Sequence, residues 1–399
     1  MNEKEAYLNE ICELIRIPSR SSPKGGEEGR LQAVVAERMR NAGARVRSFG
    51  TEETPEFFRH RLCCGRDRCY RDRPTVIGEL GPEHAPALLV LAHSDTVQIT
   101  RPADWTFDPY CGELRDGRIC GLGAEDDKWG TAVMLTMMRA LTESRQPLSK
   151  RLIFASTIDE ENGVGNGTLL LMLAGIRAEG ALYLDGNLMQ ICIGNLGGSF
   201  LYVRPKNPIG PEEMTRHAVR LKSACAEMSR ERVAAFNHPK LRENIWRERS
   251  VILYEWEDEN GPYFNVAFYT VPGDSRADIC SWLETNVQTA LGKDVENYAL
   301  SYLEPWFEPA LVSENTPMVR HLSNSIRSVL GREPIITTVC KIDAFVLSNH
   351  AGIPTVSFGP AKDGTEPGSF HQPDEYIAVE KAWAAYQIVR NAVHSWLED

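Results

Sequence analysis

Brief apolar runs bounded by glycine and proline recur along this chain, and stretches with helical spacing stand between them. The runs Val76 to Leu80, Ala87 to Ala92, Leu152 to Thr157, Ala181 to Leu184, Ile335 to Val339 and Pro354 to Phe358 are short enough to read as buried strands. Helices are predicted near 3–16, where Tyr7, Leu8, Ile11, Leu14 and Ile15 share a face before Pro18, and near 26–42, where Gly43 stands at the C-terminal cap position. Further helical stretches lie near 128–144, 314–330 and 378–397. Strands alternating with helices predict an α/β fold, a mostly parallel sheet with helices on both faces.

Between about 196 and 309 the pattern changes to strand (Phe200 to Val203), helix (211–230), two strands (250–257 and 263–271), helix (275–291) and strand (297–304). That order describes a small α+β two-layer domain with an antiparallel sheet. The expected organisation is therefore one domain built from residues 1–195 and 310–399, with a second domain inserted over residues 196–309.

With 399 residues, 42% hydrophobic and 25% charged, the chain can bury a large core. A net charge of -11 argues against nucleic-acid binding, which needs a basic face. No apolar run approaches the roughly 20 residues of a membrane span, and Met1-Asn2-Glu3-Lys4-Glu5 lacks the features of a signal peptide, so a cytoplasmic location is expected. The ten cysteines have no repeated spacing and read as reduced thiols.

In sheets of this kind, sites form beyond the carboxyl ends of the strands. His93 and Asp95 follow the 87–92 run, Glu160 and Glu161 the 152–157 run, Asp185 the 181–184 run, and His371 lies in the loop after 354–358. Imidazole and carboxylate form a ligand set suited to zinc, manganese or cobalt, and two adjacent ions can activate a water. A metal-dependent hydrolase is expected. Each residue alone has a plainer reading: Asp159, Glu160 and Glu161 as a solvated turn, Asp126 and Asp127 as helix caps, Asp185 as a turn residue, His371 as a structural histidine. Their joint placement at strand ends outweighs these readings. There is no G-x-S-x-G elbow, Gly121-Leu122-Gly123 lacks the third glycine of a dinucleotide fingerprint, and Cys63, Cys64 and Cys69 lack paired spacing.

Residues 59–73 are strongly basic within an acidic chain. They read either as a solvated hairpin in which Asp67 and Asp72 offset the arginines, or as a cleft wall in which Arg66, Arg68 and Arg71 hold a substrate carboxylate.

The ordered set His93-Ser94-Asp95-Thr96-Val97, Gly121 to Lys128, Thr157 to Glu161, Leu184-Asp185, Val271-Pro272-Gly273-Asp274, Phe358-Gly359-Pro360 and His371 to Tyr376 resembles a dinuclear zinc peptidase and deacylase family. That family includes carboxypeptidase G, acetylornithine deacetylase, succinyl-diaminopimelate desuccinylase, aminoacylase-1 and carnosinase. The resemblance implies two divalent ions, zinc first and manganese or cobalt as alternatives. It implies that Asp126 bridges them, with His93 and Asp185 on one ion and Glu161 and His371 on the other. Asp95 would then fix the His93 tautomer, and Glu160 would be the general base.

Departures concentrate in the inserted domain, residues 196–309, which the resemblance makes a lid over the catalytic domain formed by residues 1–195 and 310–399. A lid histidine usual in the family is missing from Arg204-Pro205-Lys206-Asn207-Pro208, which leaves Asn207, His217 or His238 as replacements, although His217 sits in a predicted helix and reads as a surface residue. Tyr269 stands where an arginine is usual, and Cys340-Lys341-Ile342-Asp343 replaces a glycine-rich turn. An Asp at 185 resembles the dipeptidases, so the expected substrate is a small dipeptide, with an N-acyl amino acid (deacylase or carboxypeptidase activity) as the alternative. A non-hydrolytic metal-binding relative is the reading from another class, and the intact Glu160 argues against it. Family resemblance also implies a homodimer through the inserted domain.

Overall fold

A computed structural model describes residues 2–244, 246–339 and 341–399; Cys340 lies outside them. The chain opens with α1 (Glu3–Ile15), where the Asn2 side chain accepts the Glu5 N–H at 2.9 Å and the Glu5 carboxylate accepts the Asn2 N–H at 3.1 Å, a capping box. Then follow α2 (Gly29–Asn41), β1 (Arg45–Phe49), β2 (Thr75–Leu80), β3 (Ala87–His93), α3 (Lys128–Glu143), β4 (Arg151–Thr157), the single turn α4 (Glu160–Gly163), α5 (Asn166–Leu173), β5 (Gly180–Tyr183) and β6 (Gln190–Asn195). Next come β7 (Gly197–Pro205), α6 (Pro211–Arg232), β8 (Val251–Asp258), β9 (Gly261–Thr270), α7 (Arg276–Leu291) and β10 (Tyr298–Tyr302). The chain ends with α8 (Pro317–Leu330), β11 (Thr355–Gly359) and α9 (Val379–Glu398).

Two compact units result, one of Met1–Gly194, Val312–Ile336 and Asp343–Asp399, the other of Asn195–Leu311 and Thr337–Ile342. In the first, the strands run in the order β6-β11-β5-β3-β4-β2-β1. The centre is parallel: β3 pairs with β4 and β5, and β5 with β11. The flanks β1, β2 and β6 are antiparallel. All seven residues of β3 are buried, so both of its faces are covered. His93 is paired with Thr157 at the carboxyl edge, which brings the ends of β3 and β4 side by side.

Two elements had no sequence signal of their own. β1 is mostly polar and exposed because it lies at the sheet edge. α5 (NGTLLLML) is apolar all round and buried, so no helical period marks it.

The second unit is an antiparallel sheet in the order β8-β9-β7-β10, and its core joins Leu201, Val203, Phe264, Val266 and Phe268 from the strands to Leu221 and Met228 of α6 and Leu283 and Val287 of α7. This is the two-layer order read from the sequence. Among the described residues no helix is long and apolar enough to cross a membrane.

Candidate metal centre

His93 is the last residue of β3, and its Nε2 lies 2.7 Å from Asp126 Oδ1. Asp126 precedes α3 after a turn in which Gly121 and Gly123 take positive φ, a region open to glycine at little cost. The other Asp126 oxygen, Oδ2, lies 3.1 Å from Nε2 of His371, which in turn is 2.9 Å from Glu161 Oε2. Ligand atoms of His93, Asp126 and Asp185 lie within 4.8 Å of one another, and so do those of Asp126, Glu161 and His371. Asp126 is common to both sets and offers one oxygen to each histidine.

The electrostatics of the cluster call for cations. Burial pushes Asp185 up to about 8, with the Asp126 charge adding to it. Glu160 is pushed well above the usual carboxylate range by burial and by the charges of Asp185, Asp343 and Glu161. Burial also works on Asp126, yet hydrogen bonds to His371 and His93 take it below its ordinary value. His93 is disfavoured as a cation by burial, and Asp126 and Asp95 outweigh that penalty. Carboxylates crowded in this way, with imidazole nitrogens between them, are a nitrogen–oxygen donor set that fits divalent ions of the zinc, manganese and cobalt type.

Asp95 lies behind this cluster and is fully buried. The His93 Nδ1 faces it, 3.0 Å from its backbone oxygen and 3.5 Å from Oδ1. Its two carboxylate oxygens accept the N–H groups of Glu160 and Glu161, each at 3.0 Å. One side chain therefore orients an imidazole and the start of the turn that carries both glutamates. Asp127, at the N-cap position of α3, makes no side-chain cap bond and accepts the His93 N–H at 3.2 Å.

The structure corrects the hairpin reading of the basic segment, and the cleft reading at Arg68. It is no solvated hairpin: Leu62, Cys63, Cys64, Arg68, Tyr70 and Arg73 are buried within a run of turns. Arg68 does not line a cleft, because its guanidinium pairs with the buried carboxylate of Asp159, its Nε donating to Oδ2 at 3.1 Å. Tyr70 Oη (2.6 Å) and Asn166 Nδ2 (3.0 Å) donate to the same oxygen of Asp159, and Arg73 pairs with Glu28. Arg66 and Arg71 are exposed and remain available to a ligand.

In the second unit, His217 is buried in α6, against the surface position expected, because Nδ1 lies 2.7 Å from Tyr298 Oη and Nε2 3.0 Å from Asp294. His238 is half-buried and caps a short helical turn, its Nδ1 accepting the Lys240 N–H. Asn207 is exposed in the turn after β7. Glu125, Lys362 and Asp343 were assigned no role from sequence, yet all three are buried. The signal for Glu125 was its place beside Asp126; Lys362 had none.

A shared carboxylate between two imidazole-containing ligand sets, at the carboxyl ends of a parallel-centred sheet, defines a metal-dependent hydrolase site. The model of Peptidase family M20/M25/M40 matches residues 89–395, and the chain belongs to that family. It is a metallohydrolase of peptide and amide C–N bonds, as the motif resemblance implied. Succinyl-diaminopimelate desuccinylase of Methylobacterium radiotolerans is 27% identical over 423 residues, covering 97% of each chain. Human carnosine dipeptidase 1 shares the fold with a TM-score of 0.72 at 16% identity, over 99% of this chain and 97% of its own. The Bacillus subtilis YXEP protein, described as a dinuclear metal-binding peptidase, superposes with a TM-score of 0.61 at 14% identity, over 99% of this chain and 98% of its own.

Proposed function

We propose that this chain hydrolyses the amide bond of a small dipeptide-like substrate at a site for two divalent ions, zinc first and manganese or cobalt as alternatives. The observation that carries the reading is the Asp126 carboxylate, whose two oxygens face His93 and His371 at 2.7 and 3.1 Å. His93 and Asp185 complete one ligand set with Asp126, and Glu161 and His371 complete the other. Bound ions supply Lewis-acid activation of a water and of the scissile carbonyl. Asp95 keeps the His93 ring in the orientation that presents Nε2 to the site. Glu160, held by Asp95 through its backbone, takes the proton of the attacking water and delivers it to the leaving nitrogen. Asn207, His238, Arg66 and Arg71 are candidates to contact the rest of the substrate.

A second reading, removal of an acyl group from an N-acyl amino acid, is favoured by the 27% identity over 97% of the chain with a desuccinylase. A homodimer through the inserted domain belongs to the same proposal: β8 is an edge strand whose Tyr254 and Trp256 are each 42% exposed. Sedimentation of the purified chain tests it, and a monomer at micromolar concentration would remove it.

The test of the chemistry is a screen of dipeptides against N-acyl amino acids with the zinc-, manganese- or cobalt-loaded chain, using Glu160→Gln as control. The expected result is turnover of dipeptides, with kcat lowered about 100- to 10,000-fold in the variant while both ions stay bound. Faster turnover of N-acyl amino acids would replace the dipeptidase reading with the deacylase one. Two bound ions without turnover of either class would leave a metal-binding protein.

A further inference from the structure

His371 sits on a loop without helix or strand that runs from the end of β11 to Tyr376, and both His371 and Asp374 take left-handed backbone conformations in it. A stretch of this kind does not hold a ligand in register by itself; its fastenings must. The main fastening is a buried ion pair. The Lys362 ammonium donates to Glu125 Oε1 at 2.7 Å, to the Gly368 carbonyl at 3.0 Å and to the Tyr376 carbonyl at 2.8 Å, which uses all three of its N–H groups. Glu125 Oε2 accepts the Phe370 N–H at 3.2 Å, and the Glu125 N–H is taken by Glu375 Oε1 at 2.9 Å. Lys362, Glu125 and Glu375 are all nearly inaccessible to solvent.

The geometry of the pair is pointed. Glu125 is the chain neighbour of Asp126, and Phe370 is the chain neighbour of His371. One carboxylate thus grips the backbone next to His371 while its own backbone carries Asp126. His93 and Asp185 lie at and just beyond the ends of β3 and β5, where the parallel ladder sets their positions.

We infer that Lys362 and Glu125 are positioning residues that fix His371 against Asp126, and so set the affinity of the ion held by His371 and Glu161 independently of the ion held by His93 and Asp185. The inference rests on the two-ion reading above. A mispositioned imidazole weakens one ligand set and leaves the other intact, so the two ions separate in affinity.

The experiment is a zinc titration of the metal-free chain by calorimetry, with ion counting after gel filtration, on the wild type, Lys362→Met, Glu125→Gln and the double variant Lys362→Met/Glu125→Leu. The double variant removes both charges together and leaves no unpaired ion inside. Glu125→Gln keeps the size of the side chain and one acceptor but leaves the Lys362 ammonium without its carboxylate, so the double variant decides the test if either single variant fails to fold. His371→Ala supplies the reference trace for loss of one ion. The expected result is two tight ions in the wild type, and in each folded variant one ion at wild-type affinity with the second about 10- to 100-fold weaker. Two ions at wild-type affinity in the double variant, or equal weakening of both, would overturn the inference. A wild type that binds fewer than two ions would instead overturn the two-ion reading.

Discussion

The Asp95 carboxylate accepts the backbone N–H of Glu160 at 3.0 Å, so the residue that faces the His93 ring also fixes the start of the turn carrying the proposed general base. Its second oxygen accepts the Glu161 N–H at the same distance. Asparagine at 95 has the same size but one acceptor, and turns an N–H toward an N–H. The expected outcome for Asp95→Asn is a loss of about 10- to 100-fold in metal affinity or activity, read as a lower kcat at little-changed KM together with a weaker zinc isotherm. Wild-type values for both would show that the turn holds itself.

Behind that turn, Asp159 is buried and takes donors from Arg68, Tyr70, Arg73 and Asn166. Removing Arg68 leaves a carboxylate inside with too little positive charge to balance it. Arg68→Met is expected to cost about 3–5 kcal/mol of stability, and Arg68→Met/Asp159→Asn distinctly less, both measured by denaturant unfolding of the metal-free chain. The KM for acidic substrates relative to neutral ones should not change. A selective rise for acidic substrates would return Arg68 to the cleft.

What could be read from sequence followed from what burial and period leave visible. The strand ends that carry His93, Glu160 and Asp185 are marked by short apolar runs, and the lid order by alternating period. Lys362 was not legible, because a buried lysine runs against its usual solvation, and the carboxylate that balances it comes from a distant stretch of the chain. Arg68 was misread for the same reason: a run of arginines looks solvated until Asp159 is placed beside it. His217 was misread because α6 is rich in exposed charge, while the face that buries it depends on Tyr298 of β10.

Cys63 and Cys64 are buried in the basic segment 59–73, and burial pushes both thiols up to about 11 from an ordinary 9.0. Their raised values mean that the folded chain holds these protons more tightly than the unfolded one. The stability they contribute is therefore complete below pH 9 and declines as pH rises toward 11. At pH 8 they should also resist alkylation, whereas exposed Cys69 reacts. Peptide mapping after native iodoacetamide treatment checks this, and rapid labelling of Cys63 or Cys64 would contradict their burial.

His217 joins α6 to β10 inside the second unit, through Tyr298 on one ring nitrogen and Asp294 on the other. A side chain engaged on both nitrogens and removed from solvent has no free atom for a substrate. His217→Ala leaves the Tyr298 hydroxyl without this partner and opens a void, so it is expected to lower the stability of the second unit by about 1–3 kcal/mol. At a temperature where the variant is folded, kcat and KM should match the wild type. Thermal melting and steady-state kinetics on the same preparation separate the outcomes, because a substrate-binding histidine would move KM or kcat while leaving the melting temperature near that of the wild type.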